Sequence, residues 1–260
     1  MKRKIGILLM CVVFAMSLAL FTACQPAVVD TSGNYEKSDF ETVSKKLENK
    51  DVALPENGLF KVYEMMMVES KEGENTSNAK VELTALMDIV KLNALGDIAV
   101  TTTENGKNVE ETLGNMKTKF VMDGTNLYIT LDGEKVYMPI GSSEAGDITS
   151  ALEYLEQLLS EINISAGNSN TKYFVYEKGD TLKVKMLEES SMTYGELEQY
   201  TKAELFIVFE NNAISGVAVN VEMKFSNGED YSNLKIEMQL GVTDEKLELP
   251  DVSDYKPYQG

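Results

Sequence analysis

Two stretches of the chain alternate apolar and polar residues with a period of two. Val217, Val219, Val221, Met223 and Phe225 share one register, with Asn220, Glu222 and Lys224 on the other. Leu234, Ile236, Met238 and Leu240 repeat the pattern against Lys235, Glu237 and Gln239. Side chains along a strand point to opposite faces in turn, so the two stretches predict strands over 213–225 and 232–241, each with one buried and one wet face. The same signal predicts strands over 59–69, 79–91, 95–103, 116–122, 125–131, 134–139, 172–178, 181–187 and 202–210. Asp123-Gly124, Asp132-Gly133, Gly179-Asp180, Asn211-Asn212 and Asn227-Gly228 fall between them as turns, the residue types that tight hairpins require.

Three helices interrupt this series. Residues 38–49 place Phe40, Val43 and Leu47 on one face, with Ser38 and Glu41 spaced as a capping box. Residues 147–162 carry Ile148, Leu152, Leu155, Leu159 and Ile162 as one apolar stripe. A short third helix over 193–200 follows from Thr193 and Glu196, again at capping-box spacing. The expected fold is α+β: a large curved antiparallel sheet of about eleven strands, a half-barrel, wrapped around two or three helices. Such a sheet would be roughly 50 Å wide if flat, and two helices about 10 Å across cover less than half of it. Its remaining apolar face can close on itself, form a sandwich, or leave a cavity between sheet and helices. The cavity solution makes Leu127, Ile129, Leu182, Val184, Val219, Val221, Ile236 and Met238 the candidate lining, with Leu152, Leu155 and Leu159 from the helix.

The N-terminus follows a different pattern. Lys2-Arg3-Lys4 precedes an apolar run from Ile5 to Phe21, and Leu20-Phe21-Thr22-Ala23-Cys24 closes it. A basic start, a short apolar segment and small residues at the end describe a cleaved signal, with an uncleaved N-terminal anchor helix as the alternative; the segment is short for a membrane span, which needs about 20 apolar residues. The ending resembles the lipobox of bacterial lipoproteins. That resemblance implies cleavage before Cys24 and a lipid on its sulfur. The expected organisation is a signal peptide over 1–23, the lipidated Cys24 with a flexible tether over 24–37, and a single domain over 38–260. The expected location is the extracytoplasmic face of the cell membrane, held there by the lipid anchor.

Composition narrows the chemistry. Cleavage leaves 21 basic against 42 acidic residues, a net charge of −21, which repels nucleic acid. Cys11 leaves with the signal, so no disulfide is available. The mature chain has no His, Arg or Trp. Catalytic triads, His-ligated zinc and Arg-based phosphate clamps are therefore unavailable, and neither an enzyme nor a cofactor is expected. Met65-Met66-Met67 reads as strand core, with pocket lining or Cu(I) ligation as alternatives. The acidic pairs Glu110-Glu111 and Glu188-Glu189 read as solvated surface, although carboxylate pairs also serve glycoside hydrolysis and calcium binding.

The order of lipobox, tether, helix, antiparallel meander, amphipathic helix and late hairpins resembles the LolA/LolB and LppX/LprG superfamily of lipoproteins, Gram-positive type. The hairpin from Ala203-Glu204-Leu205-Phe206-Ile207 through Val217-Ala218-Val219, the Asp123-Gly124 to Tyr128 pattern and the ending Leu247 to Tyr255 carry the likeness. The resemblance implies a lipid or acyl chain held between half-barrel and helices. The expected function is thus a membrane-anchored lipoprotein that binds an apolar ligand. The alternative is a protein-interaction or sensor lipoprotein with a fully packed core, whose partner is another envelope protein.

Overall fold

A computed structural model describes residues 28–51, 58–108, 116–131, 133–140 and 171–258. Its elements are β1 (Glu36–Ser38), α1 (Phe40–Leu47), β2 (Leu59–Glu72), β3 (Asn75–Asp88), β4 (Asn93–Glu104), β5 (Lys107–Asn108), β6 (Met116–Asp123), β7 (Asn126–Leu131), β8 (Glu134–Pro139), β9 (Lys172–Lys178), β10 (Thr181–Tyr194), β11 (Leu197–Glu210), β12 (Ala213–Asn227), β13 (Asp230–Val242) and β14 (Lys256–Pro257). All fourteen strands form one open sheet in the order β1-β9-β10-β11-β12-β13-β2-β3-β4-β6-β7-β8-β14, with β5 paired to β4. It consists of two antiparallel meanders, β2 to β8 and β9 to β13, joined where β13 pairs with β2 from Tyr231↔Lys71 to Val242↔Phe60.

Strand takes 70% and helix 4% of the described residues, which overturns the α+β expectation of two or three helices. One helix, α1, is present among the described residues, and the expected helix over 147–162 lies outside them. The expected helix at 193–200 is a hairpin. Gly195 turns the chain at φ +65°, and β10 and β11 pair in unbroken register from Thr181↔Glu210 to Tyr194↔Leu197. Hydrogen bonding to β12 on the other side of β11 outweighs the local capping-box signal. The strands are also longer than alternation alone marks, because seven of them continue as polar ribbons toward their hairpin tips. In α1 the cap is Asp39 rather than Ser38: its carboxylate accepts from the Thr42 amide at 2.8 Å, and Val43 and Leu47 are buried.

The two faces of the sheet differ. One carries a single apolar cluster that runs from Tyr173 and Val175 of β9 to Leu127, Ile129 and Met138 of β7 and β8, with α1 packed on it. This is the core face. The outer face is crossed by both chain ends. Of the expected tether, residues 28–37 are described, and they are held against the sheet rather than free. Val29 is buried with Phe206, Val208 and Ala218, and its amide donates to Gln239 Oε1 at 2.8 Å. Val28 packs beside Tyr63 and Met65. The buried Lys183 ammonium donates to Asp30 Oδ2 at 2.7 Å and to the Ser32 carbonyl at 2.8 Å. The segment then reaches the sheet edge and pairs with β9 as β1.

The C-terminal segment runs the other way. The Thr243 amide donates to the Leu59 carbonyl, Glu245 pairs with Lys61 at 2.5 Å, and Asp254 pairs with Lys135 at 2.5 Å. Tyr255 meets Tyr128 edge-on at 5.5 Å, and β14 adds to β8. Each edge strand is thereby partly covered by a short strand from a terminal segment, β1 pairing with three residues of β9 and β14 with two of β8.

Two predictions test the strap. A Cβ at Gly216 would sit 2.5 Å from Val29 Cγ2, and one at Gly241 would sit 2.7 Å from Val28 Cγ1. Gly216→Ala with Gly241→Ala should displace residues 28–35, seen as faster amide hydrogen exchange there, with the core strands still protected. The Asp30 carboxyl is lowered from 3.8 to about 2, chiefly by its hydrogen bond from Lys183. Its stabilisation is therefore complete above pH 3.8 and lost as pH falls toward about 2. Asp30 is largely exposed, so Asp30→Asn should cost only about 1 kcal/mol at neutral pH. In urea unfolding, the difference from wild type should vanish near pH 2.

Candidate functional site

The core face divides along the strands into two halves. At one end α1, the Asn211-Asn212 turn and the starts of β2 and β10 come together. The Asp51 amide donates to the Asn212 carbonyl at 2.7 Å, and Phe60, Val62, Leu182, Val184, Phe209 and Leu240 are all buried. At the other end lie the hairpin turns at Gly73, Gly195 and Gly228. Toward these tips the same face stays apolar through Met66, Val81, Val221 and Ile236, yet these residues are only half-buried. Val68 is 38% exposed, Leu197 41% and Tyr194 63%. Registers Val68↔Leu234 and Tyr194↔Leu197 keep these side chains on the core face. The packed core thus continues as an apolar ribbon that opens to solvent.

The expected lining residues fall on this face. Leu127, Ile129, Leu182, Val184 and Met238 are buried. Val219, Val221 and Ile236 lie in the half-buried part, with Val219↔Met238 and Val221↔Ile236 directly paired. Five of the eight described candidates therefore belong to the packed core, and three to the opening ribbon. Leu152, Leu155, Leu159 and Cys24 lie outside the described residues. Of the methionine run, Met65 is buried on the outer face with Tyr63, Met67 packs beside it, and Met66 points the opposite way. The run is therefore split between faces and cannot converge on one copper ion. Among the described residues no group of three acidic or thiol side chains gathers to hold a metal.

Charge is distributed unequally between the faces. The lysines of β2–β4 and β6–β13 all project outward, where several pair with carboxylates: Lys80 with Glu82 at 2.7 Å, Lys185 with Glu204 at 2.6 Å, Lys224 with Glu222 at 3.0 Å, and Lys235 with Glu237. Two grooves of about 370 and 600 Å³ also lie on the outer face, the first beneath the N-terminal strap beside Asp30 and Lys183, the second beside Val28, Tyr63 and Glu245. Both are seams of the straps.

Two buried polar side chains of the strands interrupt the core face among the described residues: Thr118, whose hydroxyl donates to the Thr130 carbonyl at 2.7 Å, and Glu64. Glu64 of β2 lies between Leu83 of β3 and Met238 of β13, at the junction of the packed and open halves. It is 5% exposed, and its Oε2 has no hydrogen-bond partner. Burial raises its carboxyl well above 4.5, because desolvation opposes ionisation. Sequence reading missed it. Phe60, Val62, Met66 and Val68 place Glu64 in an apolar register, which is a usable signal. Tyr63, Met65 and Met67 are apolar on the other register, however, so the strand does not show which face is the core.

The unfolded chain ionises Glu64 from pH 4.5 upward while the folded chain resists, so this residue's cost grows as pH rises above 4.5. Glu64→Gln should therefore stabilise the protein at neutral pH, with the gain fading as pH falls toward 4.5, measured by denaturant unfolding. Leu182→Ala should cost about 2–5 kcal/mol, and Ile236→Ala distinctly less, because its site is already partly hydrated. No protein-family model matches the chain, and no curated protein matches it.

Proposed function

We propose that the protein is an extracytoplasmic lipoprotein, anchored through Cys24, that binds an apolar ligand on the open half of its core face. The carrying observation is the apolar patch beyond Glu64, formed by Met66, Val68, Val81, Val221, Leu234 and Ile236, left partly open where the strands continue past the packed core. Soluble proteins rarely keep a long apolar surface open without an occupant. Binding would be driven by burial, at roughly 0.8 kcal/mol for each CH₂ removed from water, and the charged outer face would keep the loaded protein in solution. The lipobox-like run ending at Cys24 supports the membrane address, and the lack of His and Arg in the mature chain supports a binding role over a catalytic one.

Exposed Met192, Tyr194 and Leu197 at one tip favour a second reading, in which the ribbon docks an envelope protein. Native mass spectrometry on the mature chain with Cys24→Ser, purified without detergent, separates the two. A stoichiometric adduct released by organic solvent is expected. A clean apo mass with no uptake of added lipid overturns ligand binding and leaves the docking reading, to be followed by crosslinking from Tyr194. Independently, Cys24→Ser in the expressed full chain should abolish palmitate labelling and release the protein from the membrane fraction.

A further inference from the structure

We propose that Glu64 is the polar anchor of the core-face site and that the ligand it selects is an amphiphile with an uncharged, hydrogen-bond-accepting head. The inference rests on the binding function proposed above and names the chemistry of its ligand.

Three observations support it. First, the Glu64 side chain is almost wholly buried, and its Oε2 lacks a partner. A buried polar group without a hydrogen bond is costly, and natural interiors rarely retain one. Second, its position is where a chain laid along the ribbon would end: beyond it the face closes into Phe60 and Val62, and before it the face opens through Met66 and Val68. An acyl chain lying toward the tips brings its head to Glu64. Third, among the described residues no lysine faces Glu64: Lys46 of α1 lies at the packed end, where Glu177 engages it, and Lys107 lies on β5, away from β2. The lysines of β2–β4 and β6–β13 point outward, and the other buried carboxylates are already engaged: Asp88 accepts from the Val90 and Lys91 amides at 3.1 and 3.0 Å, and Glu237 pairs with Lys235 on the outer face.

These facts sort the candidate heads. A phosphate or carboxylate would meet the buried acid with no lysine of the neighbouring strands facing it, and both groups would lose solvation without compensation. An ammonium would need Glu64 ionised among Leu83, Met238 and Met66, none of which can supply the further hydrogen bonds a buried ion pair needs. A protonated Glu64 has one O–H to donate, which an ester, ether or hydroxyl oxygen accepts. The acid is thus matched to a neutral head and selects against both kinds of charged one.

The experiment measures uptake of octadecane, 1-monooleoylglycerol, oleate, oleylamine and lysophosphatidylglycerol by the mature chain with Cys24→Ser, counted by native mass spectrometry at matched free concentrations. It is repeated with Glu64→Gln and Glu64→Leu added. Monooleoylglycerol should bind wild type at least tenfold more tightly than the three charged probes. Glu64→Gln, which keeps a donor, should stay within about threefold of wild type. Glu64→Leu should lose about tenfold for monooleoylglycerol, the scale of one buried hydrogen bond, and take up octadecane as before. Equal or tighter binding of a charged probe, or unchanged monooleoylglycerol binding by Glu64→Leu, overturns the role of Glu64 while leaving the apolar site standing. Failure of wild type to take up any probe, octadecane included, overturns the binding function and this inference with it.

Discussion

The ladder between β13 and β2 holds the molecule together. It joins the last strand of one meander to the first strand of the other, over twelve residue pairs from Tyr231↔Lys71 to Val242↔Phe60. Without it the chain would be two smaller sheets, each with an apolar face too narrow to bury alone. With it, Leu240 and Phe60 become neighbours, and the core runs unbroken from β9 to β8. The open half of the face follows from the same joint, because Ile236 pairs with Met66 and Leu234 with Val68.

An open sheet this wide has two edges and a second face to manage. Both tasks fall to the chain ends. The N-terminal strap crosses from Val28 to β1, and the C-terminal segment from Thr243 to β14. The first depends on glycine: Gly216 and Gly241 give up their side chains so that Val28 and Val29 can approach the backbone. It also depends on Lys183, whose buried ammonium donates to Asp30 and to the Ser32 carbonyl. The lysines of β2–β4 and β6–β13 project to the outer face, and on the other side Glu64 Oε2 stands without a partner.

Much of the strand content was legible from residue order. Period-two alternation located the eleven long strands, and β8 and β9 fall on the expected residues, because alternation and Gly or Asn turns are local properties. The eight described lining candidates share one face for the same reason. The helix expected at 193–200 failed because a capping box is also local, and there the pairing of β11 on both sides decided against it. Glu64 escaped because β2 is apolar in both registers, so its faces were ambiguous until β3 and β13 were placed beside it.

Residue order alone therefore determined where strands run, where they turn, the acidic charge, the absence of His and the absence of Arg beyond Arg3. It also supplied the lipobox-like ending at Cys24. The tertiary structure decided which strands meet, which face is the core, and where the chain ends lie. Those outcomes depend on contacts between residues far apart in the chain: Phe60 with Val242, Val29 with Gln239, Glu64 with Met238. A local pattern specifies a strand through its own side-chain alternation. Burial of a face, and the isolation of one carboxyl within it, is a property of the assembled sheet.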